Sequence, residues 1–184
     1  MNLIETFQNL VAQVPELVQP LIVALAAAVP FIEGEGAAAI GIAGGINPVV
    51  AAIAAIAGNF LCVAILVLAS SGARQAIVTS RTRKRELALA GGSETVIEDV
   101  AVVESTDSDR KAARKAKFQR ALLKYGVPGV SLLGPLLLPT QFTATMLAAA
   151  GVTKARILFW QALAIIGWTT IITVLISGLV HAVS

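Results

Sequence analysis

The sequence predicts an all-α integral membrane protein. The expected fold has about three full transmembrane helices and two opposed re-entrant hairpins in an inverted repeat, with an N-terminal interfacial helix. Three observations predict it. Of the 184 residues, 57% are hydrophobic and only 14% charged, against about 25% charged in soluble domains. Four long stretches carry no Asp, Glu, Lys or Arg. And twelve of the fourteen Lys and Arg residues crowd into one segment, 72–124. A soluble domain of this size could not bury so much apolar surface. The single Cys62 excludes an intrachain disulfide and reads as a small buried hydrophobe. No Lys or Arg precedes the first apolar run, so the basic flank of a cleaved signal peptide is missing.

Taken in order, residues 2–14 place Leu3, Ile4, Phe7, Leu10, Val11 and Val14 at helical spacing. This is either a helix lying in the membrane interface or a lead-in to the first span. The first uncharged stretch, Leu17 to Ile32, holds Pro20 and Pro30 and is short against the about 20 residues of a simple span. The second, Gly36 to Ala73, is long for one span and short for two. It is expected to hold half a hairpin, with residues 31–47 dipping in from outside, and a span from about Pro48 to Ala69. The third, Tyr125 to Thr153, carries Pro128, Pro135, Pro139, Gly126, Gly129 and Gly134. The fourth contains a conventional span, Leu158 to Val180, in which Trp160 suits an interfacial belt.

The charged segment opens on Arg74, Arg81, Arg83, Lys84 and Arg85, passes through acids at 94–109, and closes on a basic stretch at 110–124 that favours helix. Its excess of Lys and Arg puts it in the cytoplasm, resting on anionic headgroups. Lys154 and Arg156 stay on the same side if residues 126–150 dip in and return, with a turn near Leu138, Pro139, Thr140 and Gln141. Non-helical backbone is tolerated at that depth where protein or a water-filled cavity surrounds it. The organisation is a first membrane repeat at 1–71 (interfacial helix, a span from the first uncharged stretch, re-entrant hairpin, span), a cytoplasmic charged loop at 72–124 and a second repeat at 125–184 (re-entrant hairpin, span). A weak internal similarity links PFIEGEGAAAIGIAGG (30–45) to PLLLPTQFTATMLAAAG (135–151). Inverted repeats with broken helices meeting near the midplane are a transporter architecture.

The chemistry centres on Glu33 and Glu35, set among Gly34 and Gly36. On a helix the two acids diverge by about 200°; on an extended turn they share a face. At membrane depth both cannot ionise cheaply, so the pair is expected to bind a proton. The alternative is an external loop with two solvated acids. No Lys or Arg precedes Arg74, so neutralisation falls to protons, helix N-termini or a bound cation. Thr140, Gln141, Thr143 and Thr145, with Pro139, could line a path opposite the glutamates or act as polar glue between helices. Asn59 is expected to bond a neighbouring helix or hairpin, and Asn47-Pro48 reads as a turn. His181 is an interfacial residue before it is a relay. No metal cluster, catalytic triad or phosphate loop appears, so no enzymatic reaction, cofactor or metal is expected. The basic loop is read as a topology signal, with no nucleic acid partner.

The segments PFIEGEGAAAIGIAGGINP and YGVPGVSLLGPLLLPTQFTATMLAAAGVTKARILFWQALAIIGW resemble the small multidrug export protein family, and more distantly the DedA (VTT-domain) membrane proteins. The resemblance covers most of residues 17–178 outside the polar loop. It implies a bacterial inner-membrane protein with two facing re-entrant hairpins, drug efflux on the first relationship, and proton-dependent lipid or lipid-carrier translocation on the second. The hairpin-one acid of DedA-like proteins best matches Glu33 or Glu35. Their hairpin-two Arg is missing, since 126–153 holds none; Lys154 and Arg156 lie beyond it.

Three functions are therefore expected in descending order. The first is a proton-coupled exporter of small cationic or amphiphilic compounds, with Glu33, Glu35, Gly34, Gly36, Thr140, Gln141, Asn59 and Pro139 at its site. The second is a lipid translocase using Lys154, Arg156 and Lys124 against headgroups. The third is a membrane scaffold acting through its cytoplasmic loop. So few spans make a thin wall around a pathway, which suggests a homodimer.

Overall fold

The computed structural model describes residues 3–90 and 107–183. Among these every regular element is helical: α1 (Leu3–Gln13), α2 (Gln19–Ala27), α3 (Glu33–Ala43), α4 (Pro48–Ala90), α5 (Asp107–Leu133), α6 (Thr140–Ala149) and α7 (Lys154–Val183), with a 3₁₀ turn at Gly134–Leu136 between α5 and α6. The acids at 94–104 lie outside the described residues.

Two segments are long and apolar enough to cross a membrane, Pro48–Ser70 of α4 and Lys154–Val180 of α7. Each keeps most of its surface outward, and that surface is apolar: Ile53, Leu61, Ile65 and Leu68 on α4, Leu163, Ile166, Val174 and Leu175 on α7. Asn47 sets where α4 starts. Its Oδ1 accepts from the Val49 N–H at 2.9 Å, and Pro48 fills the first helical position, where no N–H is needed.

The first apolar stretch departs from expectation. Leu17 to Ile32 does not form a span: it contributes the nine-residue α2 and a turn. Pro20 opens that helix, and Pro30, which disfavours helical backbone at the residue before it, stands just beyond its end. The chain then folds back into α3. The hairpin is thus α2–α3, not a dip over 31–47, and its arms are about 14 and 17 Å long at 1.5 Å per residue, well short of a ~30 Å hydrocarbon layer. Among the described residues two helices, rather than about three, are long and apolar enough for a full crossing.

α5 is helical through the basic stretch as expected, but breaks at Gly126, whose φ of 66° and ψ of −172° only glycine takes easily. Pro128 follows and supports the break. The part beyond it leads through the 3₁₀ turn and Leu137–Pro139 into α6, making a second helical hairpin. The returning arms of the two hairpins end alike. α3 stops at Gly45 (φ 87°), with the Ile46 N–H donating to the Gly41 carbonyl; α6 stops at Gly151 (φ 89°), with the Val152 N–H donating to Leu147. Both are six-to-one bonds of the Schellman kind, and a long apolar helix follows each.

Two apolar clusters result. Val11, Val23, Ala26, Ala37, Ala38, Ile40, Ala51 and Ala55 join α1 to α4; Val63, Val67, Val130, Ala144, Leu147, Ile157 and Ile165 join α4 to α5, α6 and α7. α4 serves both, the first half of its Pro48–Ser70 segment in one and the second half in the other. Asn59 sits between the two sets, at the middle of the Pro48–Ser70 segment, and is buried.

Candidate functional site

Asn59 has partners because both hairpins point their turns at it. α6 begins at Thr140 with Pro139 as its cap residue, and no side chain of its own loop caps it. The cap comes from the other hairpin. Glu33, the first residue of α3, is 6% exposed, and its Oε1 accepts the Thr140 backbone N–H at 2.5 Å and the Thr140 hydroxyl at 3.1 Å. Two helix N-termini, those of α3 and α6, therefore meet at one carboxylate. Their dipoles and free N–H groups favour its anion, while burial away from water disfavours it.

The network reaches α4. The Thr140 Oγ1 lies 3.2 Å from the Asn59 Oδ1 and 3.4 Å from the Gln141 Oε1, and the Gln141 Nε2 donates to the Asn59 Oδ1 at 3.4 Å. A hydroxyl has a single hydrogen to give. Thr140 can serve Glu33 or Asn59, and the choice follows the charge on Glu33. An anionic Glu33 takes both Thr140 donors; a protonated one competes poorly and releases the hydroxyl to Asn59.

The turn that delivers Glu33 is strained. Phe31 (φ 73°) and Glu33 (φ 54°) are the non-glycine residues with positive φ among those described. Such backbone costs on the order of 1–3 kcal/mol per residue and is held by its surroundings. Here the surroundings are the opposite hairpin: the Phe31 ring lies 6.4 Å from Phe142, and Glu33 is tied to Thr140.

A cavity of about 470 Å³ opens beside Glu33, lined by Glu35, Gly36, Pro139, Leu137, Leu138 and Trp168 among others. Glu35 is half-buried and reaches it from the same helical turn. A second, apolar groove of about 500 Å³ runs along α5 between Phe118, Tyr125, Val130 and Thr143. Leu137 and Leu138 line both spaces, so the turn of the second hairpin separates the acidic cavity from the apolar groove.

Of the residues singled out in the sequence, Glu33, Thr140, Gln141 and Asn59 come together in one network, and Glu35, Gly36 and Pro139 line its cavity. Gly34 acts by its lack of a side chain: a Cβ there would strike the Thr169 hydroxyl of α7. Thr143 donates to the Pro139 carbonyl at 3.3 Å and Thr145 to Phe142 at 2.9 Å, both within their own helix end. Lys124, Lys154 and Arg156 are exposed and outside the network; the Lys124 Nζ stands 5.0 Å from the Tyr125 ring centre. The acids do not share an extended turn. They occupy the first turn of a helix, Glu33 buried and Glu35 half-buried, and both line the cavity.

Several buried polar residues escaped the sequence reading: Gln161, Thr169, Thr173 and Ser131. The signal for the three on α7 was a spacing of eight and four residues; Ser131, on α5, had none. Trp168 is a further residue with a polar tie of its own. Its Nε1 donates to the Leu132 carbonyl at 2.9 Å, tying α7 to the end of α5. Trp168→Phe removes that donor and is expected to cost about 1 kcal/mol, read as a lower melting temperature in detergent; an unchanged melt would show that the tie carries no stability.

Comparison with protein-family models, characterised proteins and solved structures returns no match to this chain.

Proposed function

We propose that this chain is an integral membrane transporter in which Glu33 exchanges a proton against a small amphiphilic cation. The observation that carries the reading is the Glu33–Thr140 contact. A buried carboxylate at the tips of two facing half-helices, level with the middle of an apolar 23-residue segment, is costly unless it works on an ion. Broken helices whose N-termini converge on a charged group are how several transporters build a midplane site.

On this reading the α2–α3 and α5–α6 hairpins are re-entrant and enter from opposite faces, as two copies of an inverted repeat would. Their matching glycine ends support that relationship. α1 lies in the interface with Leu3, Ile4 and Leu10 turned to lipid, and segment 72–124 faces the cytoplasm of a bacterial inner membrane. The acidic cavity takes the substrate's cationic end, and the apolar groove beyond Leu137 and Leu138 takes its hydrophobic body. Substrate and proton compete for one carboxylate, which couples their movements. These assignments agree with the resemblance to small multidrug export proteins.

A second reading, lipid translocation, has one observation in its favour: the apolar groove carries Tyr125 at its wall with Lys124 beside the ring, an arrangement suited to an acyl chain under an anionic headgroup. Proteoliposomes with an internal pH dye decide between them. Cationic dyes are expected to trigger proton movement in wild type and not in Glu33→Gln/Glu35→Gln. No flux from folded wild-type protein, together with transfer of a fluorescent phospholipid between leaflets, would replace export by lipid translocation.

A further inference from the structure

The cavity of about 470 Å³ beside Glu33 holds two carboxylates, Glu33 and Glu35, and two aromatic rings, Phe31 and Trp168, in one wall; the rest is isoleucine, leucine, proline and glycine. Its volume is that of a small-molecule site. The Thr140 N–H and hydroxyl both occupy Oε1 of Glu33, which leaves Oε2 to meet a ligand. Trp168 has one polar hydrogen, and it goes to the Leu132 carbonyl. Among the described residues no Lys, Arg or His lines the space. With the glutamates ionised, its side chains offer negative charge, apolar surface and aromatic surface, and no hydrogen-bond donor.

Phe31 stands out in that wall. Its φ of 73° is one that glycine takes without cost and phenylalanine does not. The strain is not repaid by burial within the protein, because the side chain is 82% exposed. Its contact with Phe142 is tilted, at 6.4 Å between ring centres, and leaves most of the ring uncovered. Strained backbone gathers at ligand sites, where the fold holds a side chain in place for use. Trp168 is held by different means, its tie to Leu132 fixing the indole edge. The two rings thus come from separate elements, the turn before α3 and the middle of α7, and share one cavity with both acids.

We infer that this cavity selects a quaternary ammonium head, fully alkylated, held by Phe31 and Trp168 and balanced in charge by the glutamates. The inference rests on the exporter reading above and names its substrate class. Other cations suit the wall less well. A divalent metal ion asks for about six oxygen ligands, and the side chains here supply oxygens from two glutamates alone. A primary ammonium brings three N–H donors and a guanidinium five; each one left without an acceptor in an apolar space costs free energy. A quaternary head has no N–H to satisfy. Its charge is spread over alkyl groups, which match apolar walls and the faces of aromatic rings. A phosphocholine headgroup carries the same ammonium, but its phosphate would meet two carboxylates and no cation. The permanent charge also keeps exchange strict: such a substrate cannot shed a proton of its own and return as a neutral amine.

The matched probes are octyltrimethylammonium and octylammonium, which differ in the head alone. Binding is measured by calorimetry on the protein in lipid nanodiscs, with empty nanodiscs subtracted. Wild type is expected to bind the trimethyl head at least about fivefold more tightly. Phe31→Leu and Trp168→Leu are each expected to weaken trimethyl binding about fivefold and octylammonium binding less. Phe31→Tyr keeps a ring and is expected to keep the preference. Trp168→Phe and Trp168→Leu both lose the tie to Leu132, so tighter trimethyl binding by Trp168→Phe reads the ring apart from the fold. Phosphocholine is expected not to compete.

Equal affinity for the two heads in wild type, lost in Glu33→Gln/Glu35→Gln, overturns the quaternary class and leaves the exporter reading standing. Trimethyl binding by Phe31→Leu as tight as by wild type, or equally weak binding by Trp168→Phe and Trp168→Leu, overturns the role of that ring. Displacement by phosphocholine moves the ammonium site to a lipid headgroup and overturns the free cation as substrate. Binding of neither probe by folded wild type overturns the exporter's cation site, and the inference with it.

Discussion

Glu33→Gln is expected to abolish substrate-triggered proton movement while leaving the chain folded, and Glu33→Ala to remove both activity and stability. The difference lies in what Thr140 keeps. A glutamine retains a side-chain oxygen where the Thr140 N–H and hydroxyl now donate to Glu33, so the N-terminus of α6 stays capped. It cannot lose or gain a proton, so exchange stops. Alanine withdraws the acceptor altogether. The Thr140 N–H and hydroxyl are then buried at a helix end with no oxygen from α3, a loss of about 1–3 kcal/mol for stranded donors. The two hairpins also lose the Glu33–Thr140 tie beside the strained Phe31–Glu33 turn. Proton flux in vesicles and thermal melts in detergent read the two effects apart. Full flux in Glu33→Gln would falsify the assignment of Glu33 as the exchanging group. A Glu33→Ala melt equal to wild type would mean that the interhairpin bond does not hold the tips together.

Most of that site could be read from the amino acids because the chain is so apolar. In such a background each polar residue between hydrophobic runs asks for a partner, and Glu33, Thr140, Asn59 and Gln141 form one hydrogen-bonded network. The glycines and prolines at 126–139 also mark where helix must break, and the break at Gly126 and the turn at Leu137–Pro139 fall among them. What composition could not separate was a short span from half a hairpin. Leu17 to Ile32 has the hydropathy of either. The outcome is decided by Pro30, just beyond the end of α2, and by the packing of α2 on α4, and the second of these is invisible to a hydropathy window. Nor could spacing alone decide how Glu33 and Glu35 face. The glycines between them permit an extended turn, yet the residues that follow are alanines, and their helical preference carries the helix back to Glu33. The hydroxyls of α7 were passed over for a different reason. Thr169, Thr173 and Ser177 look like tolerated polar residues in a long span, and only their unused hydrogen bonds set them apart.

Gly58→Ala is expected to damage the protein more than any other single methyl group added to α4. A Cβ at Gly58 would run into the backbone oxygen, carbon and Cα of Ala24. A side-chain obstacle could rotate away, but backbone in a helix cannot, so α2 and α4 must separate. Overpacking in a closed site costs typically about 1–3 kcal/mol, and this contact has no soft neighbour to absorb it. The damage does not stop at the contact. α2 is the arm that carries α3, and so Glu33; Asn59, the next residue of α4, holds the other end of the polar network. Moving α2 off α4 therefore pulls Glu33 and Asn59 apart from opposite sides of Thr140. Gly58→Leu is expected to yield no folded protein at all. The control is Gly167→Ala on α7, where a Cβ meets nothing within 4 Å; replacing a helical glycine there should be neutral or stabilising by up to about 1 kcal/mol. Melting temperatures of the three variants in one lipid nanodisc preparation, with proton flux measured on those that fold, test the argument. If Gly58→Ala melts with wild type, α2 does not pack on α4 backbone to backbone, and the geometry that delivers Glu33 to Thr140 has to be held by something other than that contact.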